Sequence, residues 1–204
     1  MTIQADDPEL KKRLLAERQL SGADRFDEVW DGVYVMAPLA DIEHQETAGD
    51  LGAVIRVALG WDDAAKVYVG VNVSDQDRTW RKNYRCPDVA VYLAGNPAVV
   101  RRNHWFGGPD FAVEILSPKD RSRKKLEFYA KVGVRELLLV NRKPWQLELY
   151  RLHDGKLCLA GKSDVKQSTR LVSSVLPVVF RLIAGKERPR IEVVHQQRDE
   201  RWLV

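Results

Sequence analysis

The sequence predicts an α/β fold whose core reads helix, three strands, helix, strand, with a helix and hairpin added before it and short β segments after it. Three observations lead there. Two apolar runs, 86–93 and 109–118, are bounded by Pro, Gly or Ser and carry few polar positions, as strands covered on both faces do. Two stretches, 41–59 and 120–132, place apolar residues three and four apart, the spacing of amphipathic helices. A strongly apolar segment, 136–140, follows the second helix after Gly133.

In chain order, Asp7-Pro8 caps and opens a helix that runs from Glu9 to about Ser21-Gly22. Phe26 to Ala37 reads as a hairpin turning at Asp31-Gly32. A longer helix spans Asp41 to Leu59 and stops at Gly60. Lys66 to Ser74 alternates Val with other residues and reads as one strand, followed by a polar loop from Asp75 to Arg85. The two apolar strands come next, and Ser117-Pro118 ends the second. Trp145–Leu152 and 156–160 form a second hairpin around His153-Asp154-Gly155. Val175–Phe180 and Ile191–Val194 read as short strands.

With 204 residues the chain is most economically one domain, 1–204. Hydrophobic content of 45% and charged content of 30% are ordinary for a soluble globular protein. The formal charge of +4 permits a polyanionic partner without requiring one. It is unevenly placed: from Lys119 to Arg151 ten Lys/Arg face four acids, a local excess of +6. Such a run is either a solvated face or a nucleic-acid footprint. Cys86 and Cys158 lack zinc or disulfide-framework spacing and read as small core residues in a reducing compartment. No signal segment and no run of about 20 apolar residues is present, so a cytoplasmic protein without a membrane span is expected.

Within the two apolar strands sit Asp88 and Glu114. A carboxylate there is costly to bury unless paired, protonated or bound to a cation. A strand-end turn residue at Asp88 and a structural ion pair at Glu114 are the plain alternatives to a metal site. On the first core helix His44 shares the face of Ala48, Leu51, Ile55 and Ala58. It is either a satisfied core or capping residue, or a metal-proximal or acid–base group. On the second, Lys125 falls near the middle of the face of Leu126, Phe128, Tyr129 and Val132; Lys124 lies at its edge, Arg123 well away, and Arg121 points roughly with Lys125. Lys125 either snorkels to solvent or stands over the carboxylate strand.

Paired carboxylates serve glycoside hydrolysis, aspartic-protease dyads or metal-dependent phosphodiester hydrolysis. The last fits best, because hard oxygen ligands, a nearby cation and a basic surface occur together.

Pro87-Asp88, Glu114-Ile115-Leu116-Ser117-Pro118 and the run from Lys125 to Glu136 resemble the Uma-type putative restriction endonucleases, a branch of the PD-(D/E)XK nuclease superfamily. The resemblance takes in Glu28, Gly32 and His44 and covers residues 24 to 152. It implies a restriction-endonuclease-like αβββαβ core with a mixed central sheet, plus the N-terminal helix and hairpin and the C-terminal β additions. It further implies Mg²⁺ (or Mn²⁺) held by Asp88, Glu114 and the Ile115 carbonyl, with Lys125 and His44 assisting catalysis. Arg121, Arg123 and Lys124 are then the candidates for nucleic-acid contact, DNA the expected partner and a homodimer the expected assembly. The chain departs from the superfamily in carrying Leu116 where the signature has Lys; in the resembled family that Lys is shifted to the following helix, where Lys125 matches. Arg121 and Asn141 stand where relatives carry Asp. The rival expectations are a nuclease-fold module that binds nucleic acid or protein without cutting, and a transposon-associated accessory domain.

Overall fold

A computed structural model describes residues 8–37, 40–62, 64–116 and 122–204. Helix α1 spans Pro8–Ser21; its expected Asp7 cap lies outside the described residues. Strands β1 (Glu28–Trp30) and β2 (Val33–Val35) form the expected hairpin. Asp31 at φ 48° and Gly32 at φ 84° supply the two left-handed turn residues that a tight hairpin needs. Helix α2 runs Ile42–Leu59, with the Asp41 side chain accepting from the His44 N–H as N-cap.

The segment expected as one strand over 66–74 is two: β3 (Ala65–Val69) and β4 (Val73–Ser74), in different sheets. Gly70 makes the break, at φ 67° and with the Phe26 ring so near that an added Cβ would lie 2.5 Å from it. The expected loop 75–85 also holds structure, a 3-10 turn at Trp80–Lys82 and strand β5 (Tyr84–Arg85). Strand β6 is Val89–Leu93, so Asp88 stands one residue ahead of the strand instead of within it. Short strands β7 (Val99–Val100) and β8 (Trp105–Phe106) precede β9 (Phe111–Leu116).

The helix expected over 120–132 is a 3-10 turn at Ser122–Lys125 leading into α3 (Leu126–Lys131); residues 117–121 lie outside the described ones. Strands β10 (Glu136–Arg142), β11 (Trp145–His153) and β12 (Lys156–Ser163) follow. The chain finishes with β13 (Leu171–Val172), β14 (Val178–Ile183), β15 (Arg190–His195) and β16 (Arg201–Leu203).

The central sheet has the order β12-β11-β10-β9-β6-β3. It is mixed: β9 and β10 are parallel, joined by the crossover through α3, and the other pairs are antiparallel. A small sheet has the order β2-β1-β5-β4-β8-β7, and a third β13-β14-β15-β16. Alternation along the central strands divides the core. Val113, Ile115, Leu138 and Val140 pack with α2 and the C-terminal sheet, while Ala112, Leu116, Leu137 and Leu139 pack with Phe128 and Tyr129 of α3. That two-sided burial is why β9 and β10 read as continuous apolar runs. The C-terminal strands belong to this packing: Phe180 stacks on Phe111, and buried Glu136 accepts from the Ser174 N–H and the Arg151 guanidinium.

Cys86 is buried, but Cys158 is exposed, which corrects the core reading; it lies on β12, the edge strand of the central sheet. Among the described residues, no helix is long and apolar enough to cross a membrane.

Candidate functional site

The β6–β9 ladder pairs Val89 with Val113, so one further step sets Asp88 opposite Glu114 at the end of the ladder. Each Asp88 oxygen carries a hydrogen bond. Oδ2 accepts from the Ile115 N–H at 2.6 Å, and Oδ1 lies 2.8 Å from His44 Nε2. These two bonds fix the carboxylate while leaving it lone pairs, since an ionised carboxylate can accept about four hydrogen bonds. The face spacing on α2 accordingly delivers His44 to Asp88. Burial opposes a charged imidazole, but the Asp88 hydrogen bond and charge outweigh it and raise the His44 pKa. His44 Nδ1 is buried and finds no hydrogen-bond partner among the described residues.

Glu114 faces the α3 side. Both of its oxygens contact the Lys125 ammonium, at 2.9 and 2.8 Å, and the Tyr129 hydroxyl donates to Oε1. The side-chain positions settle the helix-face expectation: Lys125 is buried, whereas Arg123 and Lys124 are exposed. The 3-10 turn, at three residues per revolution, separates these neighbours by about 120° each. Arg121 lies outside the described residues. Asn141 bonds the Lys143 N–H through Oδ1.

Glu28 completes the cluster and was not among the expected site residues. Its Oε1 stands 2.8 Å from Lys125 Nζ and accepts from the Cys86 N–H, and Oε2 accepts from the Trp30 indole. An acid opening a three-residue strand reads as a solvated hairpin charge. The available signal was its place in the Glu28–Gly32 match to the resembled family. Arg85 lies behind the cluster, bonded to the Val29 and Tyr84 carbonyls and Asn83, with its guanidinium over the Trp30 and Phe128 rings.

The electrostatics follow from burial. Desolvation pushes the Glu114 pKa up to about 7, against the Lys125 charge and with help from Asp88 and Glu28. Burial pulls the Lys125 ammonium the other way, but Glu114 and Glu28 more than offset it and hold its pKa above the ordinary lysine value. Burial also raises Tyr129, so it remains a phenol that donates to Glu114.

The basic run is largely neutralised. Among the described residues, six of its bases sit in ion pairs: Arg123 with Glu148, Lys125 with Glu28 and Glu114, Lys131 with Asp75, Arg135 with Asp110, Arg142 with Asp41 and Glu43, and Arg151 with Glu136. Among the described residues, no group of three or more His, Cys, Asp or Glu side chains is arranged to hold a metal ion.

Comparison with known proteins adds a family and a structural likeness. The chain resembles a solved structure described as a putative nuclease belonging to DUF820 from Anabaena variabilis ATCC 29413. The TM-score is 0.55 and the identity 18%, over 65% of this chain and 75% of that one. At that identity the likeness speaks for the fold alone. No curated protein matches in sequence. The profile of the Uma2 family, described as "Putative restriction endonuclease", matches residues 17–183. Matched over most of its length, this chain belongs to the Uma2 family.

Proposed function

We propose that the protein is a metal-dependent endonuclease that hydrolyses DNA phosphodiester bonds on a restriction-endonuclease-like αβββαβ core. In this reading the core is α2-β3-β6-β9-α3-β10. The observation that carries the proposal is the grouping of Asp88 and Glu114 at one sheet end, with Lys125 on Glu114. The donor chemistry fits a hard divalent cation: two carboxylates and a backbone carbonyl offer oxygen ligands only. The charge balance fits as well once Glu114 is ionised and His44 neutral, because Asp88, Glu114 and Glu28 then outnumber the buried cations Lys125 and Arg85.

Mg²⁺ or Mn²⁺ would be held by Asp88, Glu114 and the Ile115 carbonyl. The bound cation would polarise the phosphoryl group and acidify the attacking water. The protein's own residues do the rest. His44 and the Ile115 N–H hold the Asp88 carboxylate in place. Lys125, whose pKa lies above the ordinary lysine value, serves as a hydrogen-bond donor and counter-charge for the transition state, not as a base. Glu28 keeps Lys125 at its post when Glu114 turns to a cation. A homodimer would supply one such site to each strand of a duplex.

The second reading is a nuclease-fold module that binds without cutting. It draws on the closure of Lys125 against both Glu28 and Glu114, an arrangement a purely structural ion-pair cluster also adopts. Mn²⁺ titration with plasmid and single-stranded DNA decides between them. Saturable Mn²⁺ binding with cleavage supports the enzyme. Absence of both leaves the binding module.

A further inference from the structure

Between Arg78 and Pro109 the chain carries six Arg/Lys and a single acid, Asp88. Arg85 is spent inside the molecule, as described above. Arg78, Arg81, Lys82, Arg101 and Arg102 are all exposed. Arg101 is held by Asp77 through two bonds, at 2.8 and 2.7 Å, and the other four enter no ion pair among the described residues. They occupy two loops of the small sheet, one leading into β5 and one between β7 and β8. The loops are fastened side by side: the Trp80 indole stacks on the His104 ring at 4.8 Å, and β4 pairs with β8.

We propose that these two loops form the surface on which the phosphate backbone of duplex DNA docks, an inference that rests on the nuclease reading above. Charge complementarity argues for it. Phosphate neutralisation by Lys and Arg supplies most of sequence-independent DNA affinity, and here Arg78, Arg81, Lys82 and Arg102 enter no ion pair among the described residues, Arg81 lying over the Trp80 ring. The 119–151 run, richer in bases, has given most of them to ion pairs. The surface also adjoins the site. Lys82 and Asp88 are six positions apart, a span of at most about 22 Å even in extended chain. The same small sheet presents Glu28 of β1 to Lys125, and the Cys86 N–H just after β5 donates to that carboxylate.

The test is fluorescence anisotropy of a labelled short duplex in EDTA over a range of salt, so that binding is read without cleavage. The variant Arg78→Gln/Arg81→Gln/Lys82→Gln/Arg102→Gln is expected to bind at least roughly tenfold more weakly, with a slope of log affinity against log salt shallower by about 3 to 4. Arg123→Gln/Lys124→Gln is expected to change both far less. If the fourfold variant fails to fold, Arg81→Gln/Arg102→Gln is expected to lower the slope by about 2. Unchanged affinity and slope, or an equal loss in the Arg123/Lys124 variant, would overturn the surface while leaving the nuclease reading standing. A wild-type protein that binds no duplex at low salt would overturn it too. Mn²⁺-dependent plasmid cleavage then reports on the nuclease reading separately.

Discussion

Lys125 Nζ stands 2.8 Å from Glu28 Oε1, so the ammonium that contacts Glu114 is also anchored by a carboxylate 97 positions earlier in the chain. That second anchor gives Glu28 a role distinct from holding the hairpin. Glu28→Gln, with a single acceptor oxygen, can keep only one of the two N–H bonds from Trp30 and Cys86, and it removes the charge that holds the ammonium. Misplacing a catalytic group by about 1 Å can cost on the order of 100-fold. Cleavage should therefore lose roughly 10- to 100-fold in kcat with little change in KM for DNA. Steady-state kinetics check this, and a change confined to KM would reassign Glu28 to binding.

Lys125 and its neighbour Lys124 should part company in stability as well as activity. Removing one partner of a buried ion pair typically costs about 3–5 kcal/mol. Lys125→Met should thus lower Tm by roughly 6–20 °C at about 2–4 °C per kcal/mol and abolish cleavage. Lys124→Ala, on an exposed side chain, should leave both nearly unchanged. Thermal melts of the two variants settle it; equal Tm losses would contradict the burial difference between these residues.

Glu114 ties stability to pH. Its folded pKa, about 7, lies above the ordinary 4.5, so its contribution to stability is fully present below about 4.5 and lost as pH rises through about 7. His44, also raised, acts with the same sign. Metal-free protein should therefore lose stability across this window. On the proposed metal site, Mn²⁺ would displace the Glu114 proton, so its affinity and its stabilisation should grow over the same range. Melts with and without Mn²⁺ at pH 5.5 and pH 8 test the pair of expectations; a larger Mn²⁺ shift at the lower pH would contradict them.

Much of this centre could be read from the sequence, for a physical reason. Glu114 interrupts an apolar strand, Asp88 stands at the head of another, and Lys125 stands where the apolar face of α3 begins; each is a local anomaly beside an apolar pattern. Glu28 interrupts nothing of that length. The split at Gly70 depends on a Phe26 ring 44 positions away, and local alternation carries no trace of it. The neutralised basic run escaped for the same reason. Arg142 meets Asp41 across 101 positions and Arg123 meets Glu148 across 25, and no local count of charge can see such pairs.

Gly70 offers a test of the fold itself. Gly70→Ala combines a positive φ with a Cβ set 2.5 Å from Phe26. Overpacking of this kind typically costs about 1–3 kcal/mol, to be read by denaturant unfolding. Phe26→Ala in the same chain should return part of that loss by removing the clash. No coupling between the two substitutions would remove the Phe26–Gly70 contact as the cause of the break.

Plasmid cleavage with Mn²⁺, run side by side on the wild-type protein and Glu114→Gln, bears most directly on the proposal that Asp88 and Glu114 together hold the cation for phosphodiester hydrolysis. The wild type should nick and linearise supercoiled DNA, and Glu114→Gln should leave it intact while melting within a few degrees of the parent. Cleavage by Glu114→Gln at the wild-type rate would contradict that proposal.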